Sequence, residues 1–332
     1  MKIFEEINHY RKEFVFDIYT RVVEDFKDYE KITKKQMIKE IYKVYENPQN
    51  IIDICTFKEL KYLQMYLNND EEYLSKKYDW ERTTLHKKFL INYEITNDIE
   101  IYEETLENIK KALSMVKWTE VKHKTKINEM IVSFCKIQGT FLVLPVIELF
   151  PTLLQETNET IYNHIHNDRV FKYYVTIEPE YIESLNQYVE MLIFNDYYHL
   201  KDELAKARQK QGVGAFPKLT PKDYISIFYN EFNLNNKIIK KFHNELYKLP
   251  FFSFSAIEPI NEYVLLNLDR KSLKNAITDI PALKNIDLTN FFKLMDKAMD
   301  EMPSGALNGL TPNELKEYKK IQIGRASCRE RV

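Results

Sequence analysis

Residues 33–67 read TKKQMIKEIYKVYENPQNIIDICTFKELKYLQMYL, a glycine-free run that sets the class of the fold. Thr33 and Gln36 have the spacing of a capping box, in which each side chain satisfies a backbone N–H of the other's turn. Ile38, Ile41, Tyr42 and Tyr45 then recur at helical spacing on one face. Asn47-Pro48 ends this helix, because proline pushes the residue before it out of helical geometry. Ile51 to Ile54 reads as a short extended connector. Thr56 and Glu59 form a second capping box, which opens a helix carrying Leu60, Leu63 and Leu67.

The same reading extends in both directions. Upstream, residues 3–27 form an amphipathic segment through Ile7, Phe14, Ile18, Val22 and Phe26. Downstream, Leu90 to Tyr102 alternates about Thr96-Asn97-Asp98 as a β-hairpin, and Ile101 to Val116 returns to helical spacing. Ile127 to Ile137 is a helix broken by Gly139, followed by a strand at Phe141 to Val143. Pro145 sits in the first turn of a helix reaching Leu154, and Thr157 or Asn158 caps the next, with Ile161 and Ile165. Phe171 to Ile177 is strand-like, and this order resembles a winged helix with residues 158–168 in the recognition position. Residues 180–208 read as one long helix through Ile182, Leu185, Val189 and Leu192. Gln209 to Thr220 is the clearest linker. Helices are expected from Pro221, from Asn235, over Leu288 to Met299, and from the Thr311-Pro312-Asn313-Glu314 start.

The expected class is therefore mainly α: a multi-domain helical protein with small β-hairpins and a C-terminal helical bundle. The boundaries read as an N-terminal helix 1–29, a helical unit with hairpin 30–120, a winged-helix-like unit plus long helix 121–208, a linker 209–219 and a helical domain 220–322. Residues 323–332 (IGRASCRERV) back-translate to a common sequencing adaptor, and their three Arg compare with six in the preceding 322 residues. They are read as an artefact, with the natural chain continuing beyond Gln322.

The net formal charge is −2, of which the last ten residues contribute +2, so the rest of the chain is mildly acidic. That composition excludes a broadly basic nucleic-acid protein and a disordered acidic tail. Cys55 and Cys135 stand alone in apolar contexts, which makes no disulfide framework and fits a reducing, cytoplasmic setting. The longest apolar run, Phe141 to Phe150, holds Pro145 and Glu148 and is too short to span a bilayer, so no membrane partner is expected. The 23 Tyr and 20 Phe follow codon usage of an AT-rich genome more simply than function.

Ala306-Leu307-Asn308-Gly309-Leu310-Thr311-Pro312-Asn313-Glu314-Leu315 resembles the closing segment of a family of uncharacterised bacterial proteins that end in a SEC-C zinc-binding tail. The block from Thr33 to Leu67 resembles their SAP-like or Rho-N-like N-terminal part, and Gly139 to Ile177 their middle unit. The resemblance implies a cysteine cluster and a zinc ion in a tail after Gln322. Here adaptor sequence stands in that place, so no residue of this chain takes a zinc-ligand role and no cofactor is expected in the fragment.

Other candidate chemistry reads as structural. His164 and His166 lie two apart, on nearly opposite sides of a helix, without further ligands at zinc spacing. Gly212-Val213-Gly214 lacks the third glycine and the Lys-Ser/Thr of a phosphate loop and reads as a hinge. Ser304-Gly305 reads as a turn. Neither a catalytic motif nor a small-molecule substrate is evident, and the chain is expected not to be an enzyme. Two lysine sets are candidate nucleic-acid contacts. Lys31, Lys35, Lys39 and Lys43 fall at four-residue steps, and Lys117, Lys122, Lys124 and Lys126 cluster with His123 beside Trp118. Such stripes bind phosphate backbones through counterion release. The segment 158–168, with Glu159, Asn163, His166 and Asn167, lacks the cations that base-reading helices bring. A binding or regulatory protein whose partner is nucleic acid or another protein is thus expected; the alternative is an adaptor that recruits proteins through its zinc tail and binds no nucleic acid.

Overall fold

The computed structural model describes residue 3 and residues 9–70, 79–93, 99–182, 186–211, 218–230, 232–249 and 254–319. It is mainly helical, with a two-stranded and a three-stranded antiparallel sheet. Among the described residues no helix is long and apolar enough to cross a membrane. The chain divides into two compact units, one of Met1–Asn128 with Glu159–Tyr174, the other of Glu129–Asn158 with Val175–Val332.

The first unit begins with α1 (Lys12–Val22), α2 (Lys34–Tyr45), α3 (Pro48–Ile54) and α4 (Phe57–Leu67). Both capping boxes of the decisive stretch form: the Thr33 side chain accepts from the Gln36 N–H, that of Thr56 from the Glu59 N–H, and each partner side chain accepts in return. The extended connector does not form. Asn47 accepts from the Gln49 N–H at 3.1 Å and Pro48 occupies the first turn, so the residues that stop α2 also start α3. α1 is shorter than the segment 3–27: Phe26 lies beyond its end and is 52% exposed, while Ile7 falls outside the described residues. Next come α5 (Asp79–His86) and the hairpin of β1 (Ile91–Tyr93) and β2 (Ile99–Ile101), paired Ile91 to Ile101; its turn at Thr96 to Asp98 is outside the described residues. α6 (Glu103–Met115) follows. One core joins these elements through Ile18, Tyr19, Met37, Ile41, Leu63 and Phe89, among others.

α7 (Trp118–Gln138) is twice the length expected and contributes residues to both units. Then come β3 (Thr140–Leu142), α8 (Val143–Leu154), α9 (Asn158–Asn167) and α10 (Arg169–Tyr174). The strand expected at Phe171 to Ile177 starts only at Val175. Asp168 accepts from the Phe171 N–H at 3.0 Å and caps a helical turn over Phe171 and Tyr173, against their β propensity.

The long helix expected over 180–208 is absent. β4 (Val175–Ile182) and β5 (Gln187–Phe194) form a hairpin there, and the helix of this region is α11 (Lys201–Gln211). The spacing of Ile182, Val189 and Leu192 suits a helix as well as a strand. Pairing with β3, Phe141 opposite Leu192, decides for the strand, and Gly139 at φ 70° makes the turn into it, its carbonyl accepting from the Phe194 N–H at 2.8 Å. The strands of the three-stranded sheet lie in the order β3-β5-β4, and α9 from Glu159 onward belongs to the first unit. α11 runs three residues into the expected linker, whose centre, Gly212 to Pro217, is outside the described residues.

The rest of the second unit is α12 (Pro221–Tyr229), α13 (Lys237–Leu246), α14 (Phe254–Leu266), α15 (Arg270–Thr278), α16 (Thr289–Glu301) and a helix over 312–319. Thr220 and Asp223 make a further capping box, and α13 is capped by Asn236 rather than Asn235. The expected start at Thr311 forms, with Glu314 accepting from the Thr311 N–H at 2.8 Å and donating its own N–H to the Thr311 hydroxyl at 3.1 Å. Residues 320–332, including the adaptor-like tail, are outside the described residues.

Candidate nucleic-acid interface

The candidate face is built where α4 meets the first turns of α7. Phe57 is the first residue of α4, and its N–H donates to the Thr125 hydroxyl of α7 at 2.8 Å. Trp118, at the start of α7, meets Phe57 edge to face at 5.8 Å between ring centroids. Both rings are half-buried. The ammonium of Lys61 stands 5.2 Å from the Trp118 ring, and that of Lys122 6.0 Å from the Phe57 ring. Cations over ring faces are attracted by the ring quadrupole, here at a partly exposed site.

This face is anchored by an ion pair without solvent exposure. Lys88 and Glu59 are both 0% exposed, with Nζ and Oε1 2.5 Å apart. The other carboxylate oxygen of Glu59 accepts from the Thr56 N–H at 2.7 Å, completing the cap one residue before Phe57. The Tyr173 ring lies 5.0 Å from the Lys88 ammonium. A buried ammonium thus holds the carboxylate that holds the start of α4.

Helical period divides the expected lysine cluster on α7 between two flanks. Trp118, Lys122 and Lys126 follow at four-residue steps on the side of Phe57. Lys117 and Lys124, with Glu120, line a separate cleft of about 330 Å³ whose further walls include Asp53, Asp168 and Arg169. Lys117 pairs with Glu120 at 3.2 Å. Of the first stripe, Lys35, Lys39 and Lys43 are exposed along α2. Lys31 precedes that helix, in the 3-10 turn Tyr29–Lys31, where its ammonium pairs with Asp28. It is not part of the stripe.

Several ionisable side chains of the cleft are already engaged. Asp53 accepts from Gln49 at 2.8 Å. Asp168 accepts from Asn128 at 3.0 Å, and Arg169 donates to Asn50 and to the Val22 carbonyl at 2.8 and 2.9 Å. Burial pushes the Cys55 thiol at its wall far above the usual range, which leaves it neutral and a poor nucleophile. Among the described residues, the cleft joins no nucleophile to a general base.

The chain matches no family model, no curated protein and no solved structure.

Among the described residues no three His, Cys, Asp or Glu side chains are gathered to hold a metal ion. His164 is buried, its Nε2 2.9 Å from the Asn128 side-chain oxygen, while the half-buried His166 bonds the Tyr162 carbonyl at 2.9 Å. The described cysteines, Cys55 and Cys135, are buried singly, which does not fit a zinc cluster. The Gly212-Val213-Gly214 segment is outside the described residues. Ser304-Gly305 does form a turn: the Ser304 hydroxyl donates to the Leu265 carbonyl at 3.0 Å, and its carbonyl accepts from the Gly309 N–H at 2.8 Å.

That turn is gripped by Arg208, which sequence reasoning passed over. Its guanidinium donates to the carbonyls of Gly305 at 2.8 Å and Thr140 at 2.7 Å, and to that of Gln138. Burial lowers its pKa to about 10, still charged at neutral pH. Asn308 and Gly309 both take left-handed backbone, at φ 52° and 79°. The Asn-Gly motif that carries the family resemblance therefore makes a clamped turn leading into the Thr311 cap.

Proposed function

We propose that this chain is a non-enzymatic binding protein that takes single-stranded nucleic acid on the Phe57–Trp118 face. The supporting observation is the edge-to-face aromatic pair flanked by the Lys61 and Lys122 ammoniums. The uncovered part of half-buried rings gives bases a stacking surface, and neighbouring cations take the phosphates without reading sequence. Lys126 extends that flank, while Lys117 and Lys124 supply charge along the other side of α7. Lys35, Lys39 and Lys43 are a second, separate set of candidate phosphate contacts. The mild negative charge of the chain makes the binding local rather than spread over the surface. A zinc-bearing C-terminal tail, implied by the family resemblance, would act as a recruitment module beyond Gln322.

Fluorescence anisotropy of a labelled single-stranded oligonucleotide at rising salt tests the reading. Five lysines on five phosphates give a slope near −3.5 in log affinity against log salt, or roughly a 100-fold loss between 50 and 200 mM. Trp118→Ala should weaken binding by about 1–3 kcal/mol. A salt-insensitive oligonucleotide affinity, or one indifferent to both Trp118→Ala and Lys122→Ala, refutes it and favours the protein-recruiting adaptor.

A further inference from the structure

The second unit carries a groove with its own charge pattern. α13 and α16 pack together through Phe242, Leu246, Phe291 and Met295, with the two Phe rings 5.6 Å apart. Beside that contact runs a groove of about 570 Å³, floored by Leu249, Leu288, Phe291 and Leu294 and edged by Ile286. Ile286 is 38% exposed, and Phe291 only 8%.

Four lysines stand at the groove, Lys241, Lys248, Lys293 and Lys297, against Glu245 and Asp287. Glu245 is taken by Lys248 at 2.8 Å. Asp287 accepts from the Thr289 N–H at 2.9 Å, at the start of α16. Among the described residues, no carboxylate lies at ion-pair distance from Lys241, Lys293 or Lys297. The acids of α16 are committed elsewhere: Asp296 pairs with Lys274 at 2.6 Å and Asp300 with Arg270 at 2.7 Å, both on α15. α16 thus turns Asp296 and Asp300 toward cations of α15, while Lys293 and Lys297 line an apolar trough.

We infer that this groove docks an amphipathic helix of a protein partner, apolar on its buried face and acidic along its flanks. The apolar floor asks for aliphatic anchors, and the three unpaired ammoniums ask for carboxylates beside them. Nucleic acid fits less well, because the nearly covered Phe291 offers no ring face for a base. The flanking helices have 10 and 13 residues, about 15–20 Å, which matches roughly three turns of a docked helix.

The test uses the full chain and a fluorescein-labelled peptide of about 14 residues, with Leu at i, i+3, i+4 and i+7 and Glu on the flanks. Saturable binding is expected, weakened at least about tenfold by the triple charge reversal Lys241→Glu, Lys293→Glu and Lys297→Glu, and weakened also by Ile286→Glu. Trp118→Ala should leave it unchanged, which separates this site from the oligonucleotide face. The side chains substituted at the groove are all exposed, and circular dichroism checks that the variants stay folded. Three results overturn the inference. They are equal binding of a charge-matched peptide with Ser in place of Leu, no saturation by about 1 mM peptide, and displacement of the peptide by single-stranded oligonucleotide or by anionic phosphatidylglycerol vesicles.

Discussion

Replacing Lys88 by Met should destabilise the first unit by about 3–5 kcal/mol, the range for removing one partner of a buried ion pair. Both charges are fully removed from water, so their pairing does little more than offset the cost of desolvating them. Losing only the ammonium leaves the Glu59 carboxylate buried with the Thr56 N–H as its recorded donor. The informative partner is Glu59→Gln, because Gln can still accept from Thr56 and complete the capping box while carrying no charge. Lys88→Met combined with Glu59→Gln should therefore recover at least about 2 kcal/mol of the loss, and Glu59→Gln alone should be destabilising. The double-mutant cycle yields the coupling energy directly. Urea unfolding followed by tryptophan fluorescence suits the measurement, since the two tryptophans of the chain, Trp80 and Trp118, both lie in the first unit. A single-variant cost below about 1 kcal/mol, or a double variant no more stable than Lys88→Met, would refute the reasoning.

Gly305→Ala should cost the second unit about 1–3 kcal/mol, because the added methyl would sit 2.7 Å from the Gln138 backbone oxygen; thermal unfolding by circular dichroism measures it. Arg208→Lys keeps the charge but loses the fork that reaches three carbonyls, and a lower melting temperature with faster amide exchange over residues 304–310 is expected. His86 supplies a pH dependence. Burial lowers its pKa below the ordinary 6.5, so the unfolded chain takes up a proton first as pH falls. Its contribution is complete above about pH 6.5 and lost as pH drops toward the folded-state value. His86→Phe, among Tyr10 and Phe14, should flatten the stability profile between pH 6.5 and 5 relative to the parent; identical profiles would remove His86 as the cause.

Features that depend on residues three or four apart were legible before any coordinates. The capping boxes at Thr33, Thr56 and Thr311 are closed by their own Gln36, Glu59 and Glu314, and need nothing from elsewhere in the chain. The β1–β2 pairing was legible because its partners lie within ten residues of each other and alternate in hydrophobicity. The errors fall where two local readings compete. Asn47-Pro48 serves equally as a stop and a start, so local sequence does not separate α3 from a connector. At Phe171 the Asp168 cap outweighs β propensity, and near Ile182 the apolar spacing suits both helix and strand.

The candidate face divides in the same way. Lys122, Lys126 and Trp118 share a flank by helical period, so α7 alone implies their grouping. Phe57 and Lys61 join them because α4 packs there, 57 or more positions away along the chain. Lys88 meets Glu59 across 29 residues, Arg208 reaches Gly305 across 97, and β5 finds β3 across some 50. No local pattern encodes such encounters. Hydrogen bonds within one turn select a conformation by geometry that any four residues already contain. Contacts between distant segments form only when burial of the whole core offsets the entropy of bringing them together.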